Sequence, residues 1–348
     1  MMDSVRPHAY SAASAALASH GNRALRDLVD AATPVGTGIG GRSALLEVAG
    51  IPVFVKRVPL TDVEAQVRST ANLFDLPTFC HYGAGLIGSP GFGAWRELAV
   101  HTMATDWVLA GEYAGFPLLY HWRVLPDTTP LPEELADIDR AVAYWDDRPQ
   151  VRRRIEALRD SAASLTLFLE YIPQNLHEWL GARIATDGRA CVMAERELAA
   201  GAAFLNSRGL LHFDAHFENI LTDGHRLYFA DYGLALSAGF DLSPAETAFF
   251  ERNRSYDRAY IASYLANWLV TAVYQPQRED HAALVRAFAA GKSPEGIPEE
   301  TAAVLLRNAP VAATLSQFFR AFRQDSRETP YPDGEIRRLL PDRPFRGM

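Results

Sequence analysis

His212-Phe213-Asp214-Ala215-His216-Phe217-Glu218-Asn219, followed twelve residues after its last member by Asp231-Tyr232-Gly233, carries the strongest signal in this chain. Asp214 and Asn219 stand five apart. Between Asn219 and Asp231 lie two short apolar runs, residues 219–221 and 227–230, on either side of the turn Asp223-Gly224. Two short strands joined by such a turn fold Asp231 back beside Asn219. Three oxygen-bearing side chains then converge, two of them carboxylates. Magnesium takes oxygen ligands and keeps several waters, so Asn219 and Asp231 suit it. Asp214 is left to orient an attacking hydroxyl and accept its proton. Any one of these residues alone reads as an ordinary turn Asp or Asn; the spaced set, closed by Gly233, does not.

Working toward the N-terminus, Gly36-Thr37-Gly38-Ile39-Gly40-Gly41 is rich in glycine where a backbone must fold tightly over phosphates. Alone it is a weak signal, equally a flexible turn. A dinucleotide-binding unit needs a helix after it. Here the glycines lead instead into an apolar run at 44–49, a turn at Gly50-Ile51-Pro52 and a second run at 53–58, the pattern of a β-hairpin. The second run carries Val53-Phe54-Val55-Lys56. A lysine at the end of an apolar run ordinarily snorkels to the surface; this one lies 15 residues after Gly41, on the returning strand of the same hairpin.

Together these residues resemble the protein-kinase-like superfamily, in order from about residue 33 to 270. The His212-x-Asp214-x-His216-x-x-Asn219 pattern is most similar to its aminoglycoside phosphotransferase branch, whose loop reads H-G-D-x-H-x-x-N. The resemblance implies an α+β, two-lobed kinase-like fold, with a small antiparallel-sheet N-lobe at 1–170 and a larger, mainly helical C-lobe at 171–348. It implies that Asp214 is the catalytic base, that Asn219 and Asp231 hold Mg²⁺, and that Lys56 binds the phosphates of ATP or GTP under the loop Gly36, Thr37, Gly38, Ile39, Gly40 and Gly41. Glu170, Tyr171 and Ile172 become the hinge that receives the nucleobase. Two departures from protein kinases tilt the acceptor toward a small molecule. Phe213 replaces an arginine that reads a phosphorylated loop, and His216 replaces a lysine. Phe213 also departs from the antibiotic-kinase branch, and the stretch 76–93 has no counterpart there.

The resemblance also implies a glutamate that pairs with Lys56. Glu64 lies eight residues after it, but Thr61-Asp62-Val63-Glu64 fits a capping box, a structural role. Glu97 sits in the helical run 94–109 and is preferred. Asp241, Glu246, Glu251 and Asp257 either grip a cationic acceptor or form a solvated loop. His8, His20, His81, His101 and His121 are scattered without metal-ligand spacing.

Composition bounds the remainder. The chain has 348 residues, 48% hydrophobic and 22% charged, with a net charge of −8. That is a globular composition, and the acidic balance argues against a nucleic-acid partner. Cys80 and Cys191 make no disulfide framework and read as buried thiols. No signal peptide is visible and no apolar run approaches the roughly 20 residues that span a bilayer, so the expectation is a cytoplasmic protein without membrane contact. Short strand signals (118–125 and 165–172) dominate up to about residue 172, and helices dominate beyond. The expected activity is transfer of a γ-phosphoryl group to a hydroxyl of a small molecule, an antibiotic or metabolite. The rivals are a Ser/Thr protein kinase, which keeps a protein acceptor open, and a pseudokinase binding module.

Overall fold

The computed structural model describes residues 5–38, 41–83, 87–128 and 130–340. Its contacts divide the chain into two compact units. The first comprises Met1–Ile172 with Asp231–Ala235 and Gly239–Ser243; the second comprises Pro173–Ala230, Leu236–Ala238 and Pro244–Met348. The expected boundary at 170/171 did not foresee the return of Asp231 and its neighbours to the first unit.

The first unit runs α1 (Val5–Ala18), α2 (Asn22–Asp30), β1 (Thr33–Gly38), β2 (Gly41–Val48), β3 (Ile51–Leu60), α3 (Asp62–Gln66), a 3-10 turn at Thr78–His81, α4 (Ala94–Leu109), β4 (Leu119–Pro126), α5 (Glu133–Ala136), α6 (Ile138–Tyr144), α7 (Pro149–Arg159) and β5 (Ala163–Glu170). Its strands form one antiparallel sheet in the order β1-β2-β3-β5-β4. Period-two alternation decides what each face buries. Val53, Val55 and Phe168 join Leu17, Leu25 and Val29 of α1 and α2 in one cluster. Val58, Leu60, Leu165, Leu167 and Leu169, with Phe54 at the margin, pack on Ala94, Trp95 and Leu98 of α4. Lys56 shares the parity of Phe54, Val58 and Leu60, so the strand aims it at α4 rather than at solvent.

One expectation changes here. Gly36, Thr37 and Gly38 lie in strand β1, paired with Ser43, Arg42 and Gly41 of β2; the glycine-rich stretch reads as a loop because its lack of apolar residues hides the strand. Ile39 and Gly40 fall outside the described residues. The region 126–160, which lies between the two strand signals 118–125 and 165–172, holds the helices α5, α6 and α7, the first two too short for periodicity to show.

The second unit runs β6 (Gln174–Asn175), α8 (Leu176–Gly181), α9 (Gly188–Ser207), β7 (Leu210–Leu211), β8 (Ile220–Thr222), β9 (Leu227–Phe229), β10 (Leu236–Ser237), α10 (Pro244–Arg252), α11 (Tyr256–Tyr274), α12 (Arg278–Ala289), α13 (Glu299–Gln324) and α14 (Asp333–Leu339). Strands β6-β8-β9 make one small antiparallel sheet and β7-β10 a ribbon. Helix α9 starts at Gly188 because Asp187 accepts the Arg189 N–H at 3.0 Å and opens the helix there. The protein is therefore α+β, with a small antiparallel sheet and many helices. Among the described residues no helix is long and apolar enough to cross a membrane.

Candidate active site

Lys56 is buried in the first unit with its ammonium between two carboxylates: 2.6 Å from Glu97 Oε1 and 2.9 Å from Asp231 Oδ2. Helical spacing brings Glu97 there. It lies on the same face of α4 as Ala94 and Leu98, which pack on the sheet, and is itself only 2% exposed. Glu64 faces elsewhere, so the choice between the two glutamates falls to Glu97. The sequence holds only two lysines, Lys56 and Lys292, among its basic residues. An arginine fork prefers one planar carboxylate, whereas a compact ammonium can be shared by two. The scarcity of lysine is therefore itself a signal in the sequence.

Burial works against the Lys56 charge, but Asp231 and Glu97 outweigh it and raise its pKa. Burial and the Asp231 charge push the Glu97 carboxyl upward against the pull of Lys56. Both directions follow from one cation shared by two carboxylates in a desolvated place. Asp231 has φ +61°, a left-handed conformation uncommon for a residue with a side chain, and its Oδ1 accepts the Gly233 N–H at 3.3 Å.

The second unit holds the loop 212–219 between β7 and β8. Asn219 Nδ2 donates to the Asp214 carbonyl at 2.9 Å and to Asp214 Oδ2 at 3.2 Å. That reserves Oδ1 as the acceptor end of the Asn219 amide. The Asn219 carbonyl accepts the Ala230 N–H at 3.0 Å, and the residue after Ala230 is Asp231. His212 Nε2 lies 3.0 Å from the Ala230 carbonyl, and Asp214 N–H donates to His212 Nδ1 at 3.3 Å; the two bonds together select the Nε2–H tautomer. Phe213 is fully buried at φ +65° and packs on Phe249 and Tyr256. His216 Nδ1 stands 2.8 Å from Glu218 Oε2, and its Nε2 is 3.8 Å from Asp214 Oδ2.

Two of the four acidic residues read as acceptor contacts or a solvated loop prove to be neither. Glu246 and Asp257 are both buried. Asp257, in the first turn of α11, accepts the backbone N–H groups of His212 and Phe213. No local spacing points to it, since it lies 43 positions beyond Asp214. Asp241 and Glu251 stay exposed.

At the expected hinge, Glu170 is already committed within the first unit. Its N–H donates to the Leu118 carbonyl at 2.8 Å. Its carboxylate takes Arg6 Nε and Nη2 at 2.9 and 2.6 Å and the Leu118 N–H at 3.1 Å. Tyr171 and Ile172 follow the end of β5. Of the histidines set aside, His81 and His101 are buried: His81 stacks on Phe92 at 3.7 Å, and His101 meets the Tyr232 ring edge-on at 4.7 Å. Both cysteines are buried free thiols. Among the described residues no three His, Cys, Asp or Glu side chains are grouped to hold a metal ion.

The sequence matches no protein-family model and no curated protein.

Proposed function

We propose that this protein is a nucleoside-triphosphate-dependent phosphotransferase of the protein-kinase-like fold, moving the γ-phosphoryl group of ATP or GTP to a hydroxyl of a small molecule. The observation that supports it most is the Lys56 ammonium held by Glu97 and Asp231. Lys56 and Glu97 are buried while the Asp231 side chain is 37% exposed; a desolvated ion pair contributes little to stability, whereas a fixed cation beside an accessible carboxylate serves a phosphate well.

Each residue then has a task. Lys56, kept cationic by its carboxylate neighbours, pairs with the phosphates, and Glu97 keeps its ammonium from straying. Asp214, steadied by Asn219 Nδ2, orients the acceptor and takes its proton as the hydroxyl oxygen bonds to the γ-phosphorus. The bond from that phosphorus to the bridging oxygen breaks, and the nucleoside diphosphate leaves. Asn219 Oδ1 and the Asp231 carboxylate are hard oxygen donors fit for Mg²⁺. When bound, that ion neutralises charge on the phosphate oxygens. Positioning and electrostatics supply the rate gain, with no covalent enzyme intermediate.

The test is a panel of hydroxylated antibiotics, nucleosides and sugars, incubated with ATP or GTP and Mg²⁺ and examined for the mass of one added phosphoryl group. Transfer that Asp214→Asn abolishes is the expected result. Robust autophosphorylation with no small-molecule product would redirect the reading to a protein kinase. Absence of nucleotide binding at millimolar concentration would end it.

A further inference from the structure

Glu97 sits in the first turn of α4, where a helix is least secure because its leading N–H groups lack partners within the helix. The residue at the capping position, Gly93, offers no side chain to hold them. The cap comes from elsewhere: Glu64 Oε1 accepts the Ala94 N–H at 2.9 Å, and the Trp95 indole N–H donates to the Glu64 carbonyl at 2.7 Å. Gly93 has φ +125°, and a Cβ there would stand 2.7 Å from Glu64 Oε1. The carboxylate thus occupies the space that a side chain at 93 would need.

Glu64 is itself anchored. Its Oε2 accepts the Thr61 N–H at 3.0 Å and the Thr61 hydroxyl at 2.6 Å, and takes Arg154 Nη1 at 2.8 Å. Arg154 lies in α7 over the Phe74 ring, with Nε 3.4 Å from the Pro90 carbonyl. Both charges are almost wholly buried, Glu64 1% and Arg154 3% exposed. Burial would raise the Glu64 pKa, but Arg154 and the Thr61 bonds outweigh it and hold the carboxyl below its usual value. The capping-box reading of Glu64 is correct for α3, yet it describes half of what the side chain does: one oxygen closes the box, the other caps α4.

We infer that the Glu64–Arg154 pair is a positioning device for Glu97, through which α7 and the start of α3 hold the first turn of α4 so that Glu97 meets Lys56. The inference deepens the phosphotransferase reading and rests on it for its catalytic meaning, while the physical link from Glu64 to Lys56 can be measured without any activity. Glu64 and Arg154 touch neither nucleotide nor acceptor in this scheme and act through Glu97 alone.

The experiment uses the full chain labelled with ¹³Cε-lysine. Two lysines give two signals, Lys56 as reporter and Lys292 as internal control. Glu97→Gln sets the shift expected when the pair is broken. Glu64→Gln is expected to move the Lys56 signal in that same direction, with Lys292 unmoved and the melting transition still cooperative. Glu64→Asp keeps the charge opposite Arg154 but is one methylene shorter; it should shift Lys56 likewise and serves if the first variant does not fold. A folded variant of either kind whose Lys56 signal stays at the wild-type position overturns the inference. Activity forms a second arm. Glu64→Gln should lower kcat/KM roughly tenfold in the wild-type background, the scale of coupling between residues in one network. In the Glu97→Gln background the same change should have no further effect. Equal losses in both backgrounds would show a general structural role and reject the inference. A wild-type protein without transfer activity would count against the phosphotransferase reading alone, since the lysine signals still decide the link.

Discussion

Asp257 Oδ2 accepts the His212 N–H at 2.6 Å, and its Oδ1 accepts the Phe213 N–H at 2.9 Å. One buried carboxylate of α11 thereby holds two consecutive peptide groups at the start of the loop that presents Asp214. The second of these belongs to a residue in left-handed conformation, a strain that persists only where the surroundings over-determine it. Phe213 meets that need twice, through Asp257 on its backbone and through the aromatic packing of its side chain.

The charge state of Asp257 is measurable through stability. Burial raises its carboxyl from 3.8 to about 6, against the lowering effect of the two N–H bonds. Between those values the folded protein holds a proton that the unfolded chain has released. The contribution of this group is therefore complete below pH 3.8 and is lost as pH rises through about 6. Asp257→Asn, similar in size and uncharged throughout, should lack this loss. Urea unfolding across that window should show wild-type stability falling relative to the variant by on the order of 3 kcal/mol. A constant difference would refute the assignment.

Gly41 has a structural requirement separate from any nucleotide. It has φ +115°, and a Cβ there would lie 1.9 Å from the Arg57 carbonyl oxygen. Gly41→Ala should destabilise the nucleotide-free protein by about 3 kcal/mol, combining left-handed strain with a backbone clash. Denaturant titration without ligand checks this; an unchanged midpoint would mean that the β2–β3 pairing yields at little cost. By contrast, among the described residues a Cβ at Gly36 would meet the Ser43 hydroxyl alone, at 3.7 Å, so Gly36→Ala should be mild.

On the proposed function, Glu97 must be ionised to hold Lys56. Burial first, and then the Asp231 charge, push its pKa above the ordinary 4.5. Transfer activity should therefore fail on the acid side at a pH well above 4.5, as Glu97 takes up a proton. Glu97→Gln should lose that limb and run roughly 10²-fold slower, the scale of a misplaced reacting group. A pH–rate profile of kcat/KM for both proteins decides it. An acid limb unchanged in the variant would assign the titration to another group.

Glu218 offers a check that needs no substrate. The His216 hydrogen bond holds its carboxyl down at about 2, against the upward push of burial. A depressed folded-state pKa places this stabilisation above pH 4.5, and it is lost as pH falls through about 2. His216→Gln should return Glu218 toward the ordinary glutamate value in a ¹³C carboxyl titration. Persistence near the original value would transfer the role to His177, whose Nδ1 is 3.8 Å from the other Glu218 oxygen.

Much of the fold was legible because its signals are local. The hairpin β2–β3 announces itself by two apolar runs around a Gly-Ile-Pro turn, and α4 by its helical spacing, which placed both its ends correctly. The short strands on either side of Asp223-Gly224 were equally readable. Strand β1 was not, since glycine and threonine carry no apolar alternation, and its pairing with β2 comes from a partner rather than from its own residues. The helices α5 and α6 were lost for want of length.

The sequence by itself determined which chemical groups stand at which spacing: Asp214 five before Asn219, Asp231 twelve after it, and one of two lysines on a β-strand. The tertiary structure decided whom each group meets. Glu97 rather than Glu64 faces Lys56, Glu170 is taken by Arg6, and Asp257 serves the loop backbone rather than solvent. These choices join residues 41, 164 and 44 positions apart. Local periodicity says which way a side chain leaves its own element. The partner it finds depends on how distant elements pack and on which charges can be desolvated together, and no short stretch of sequence contains that.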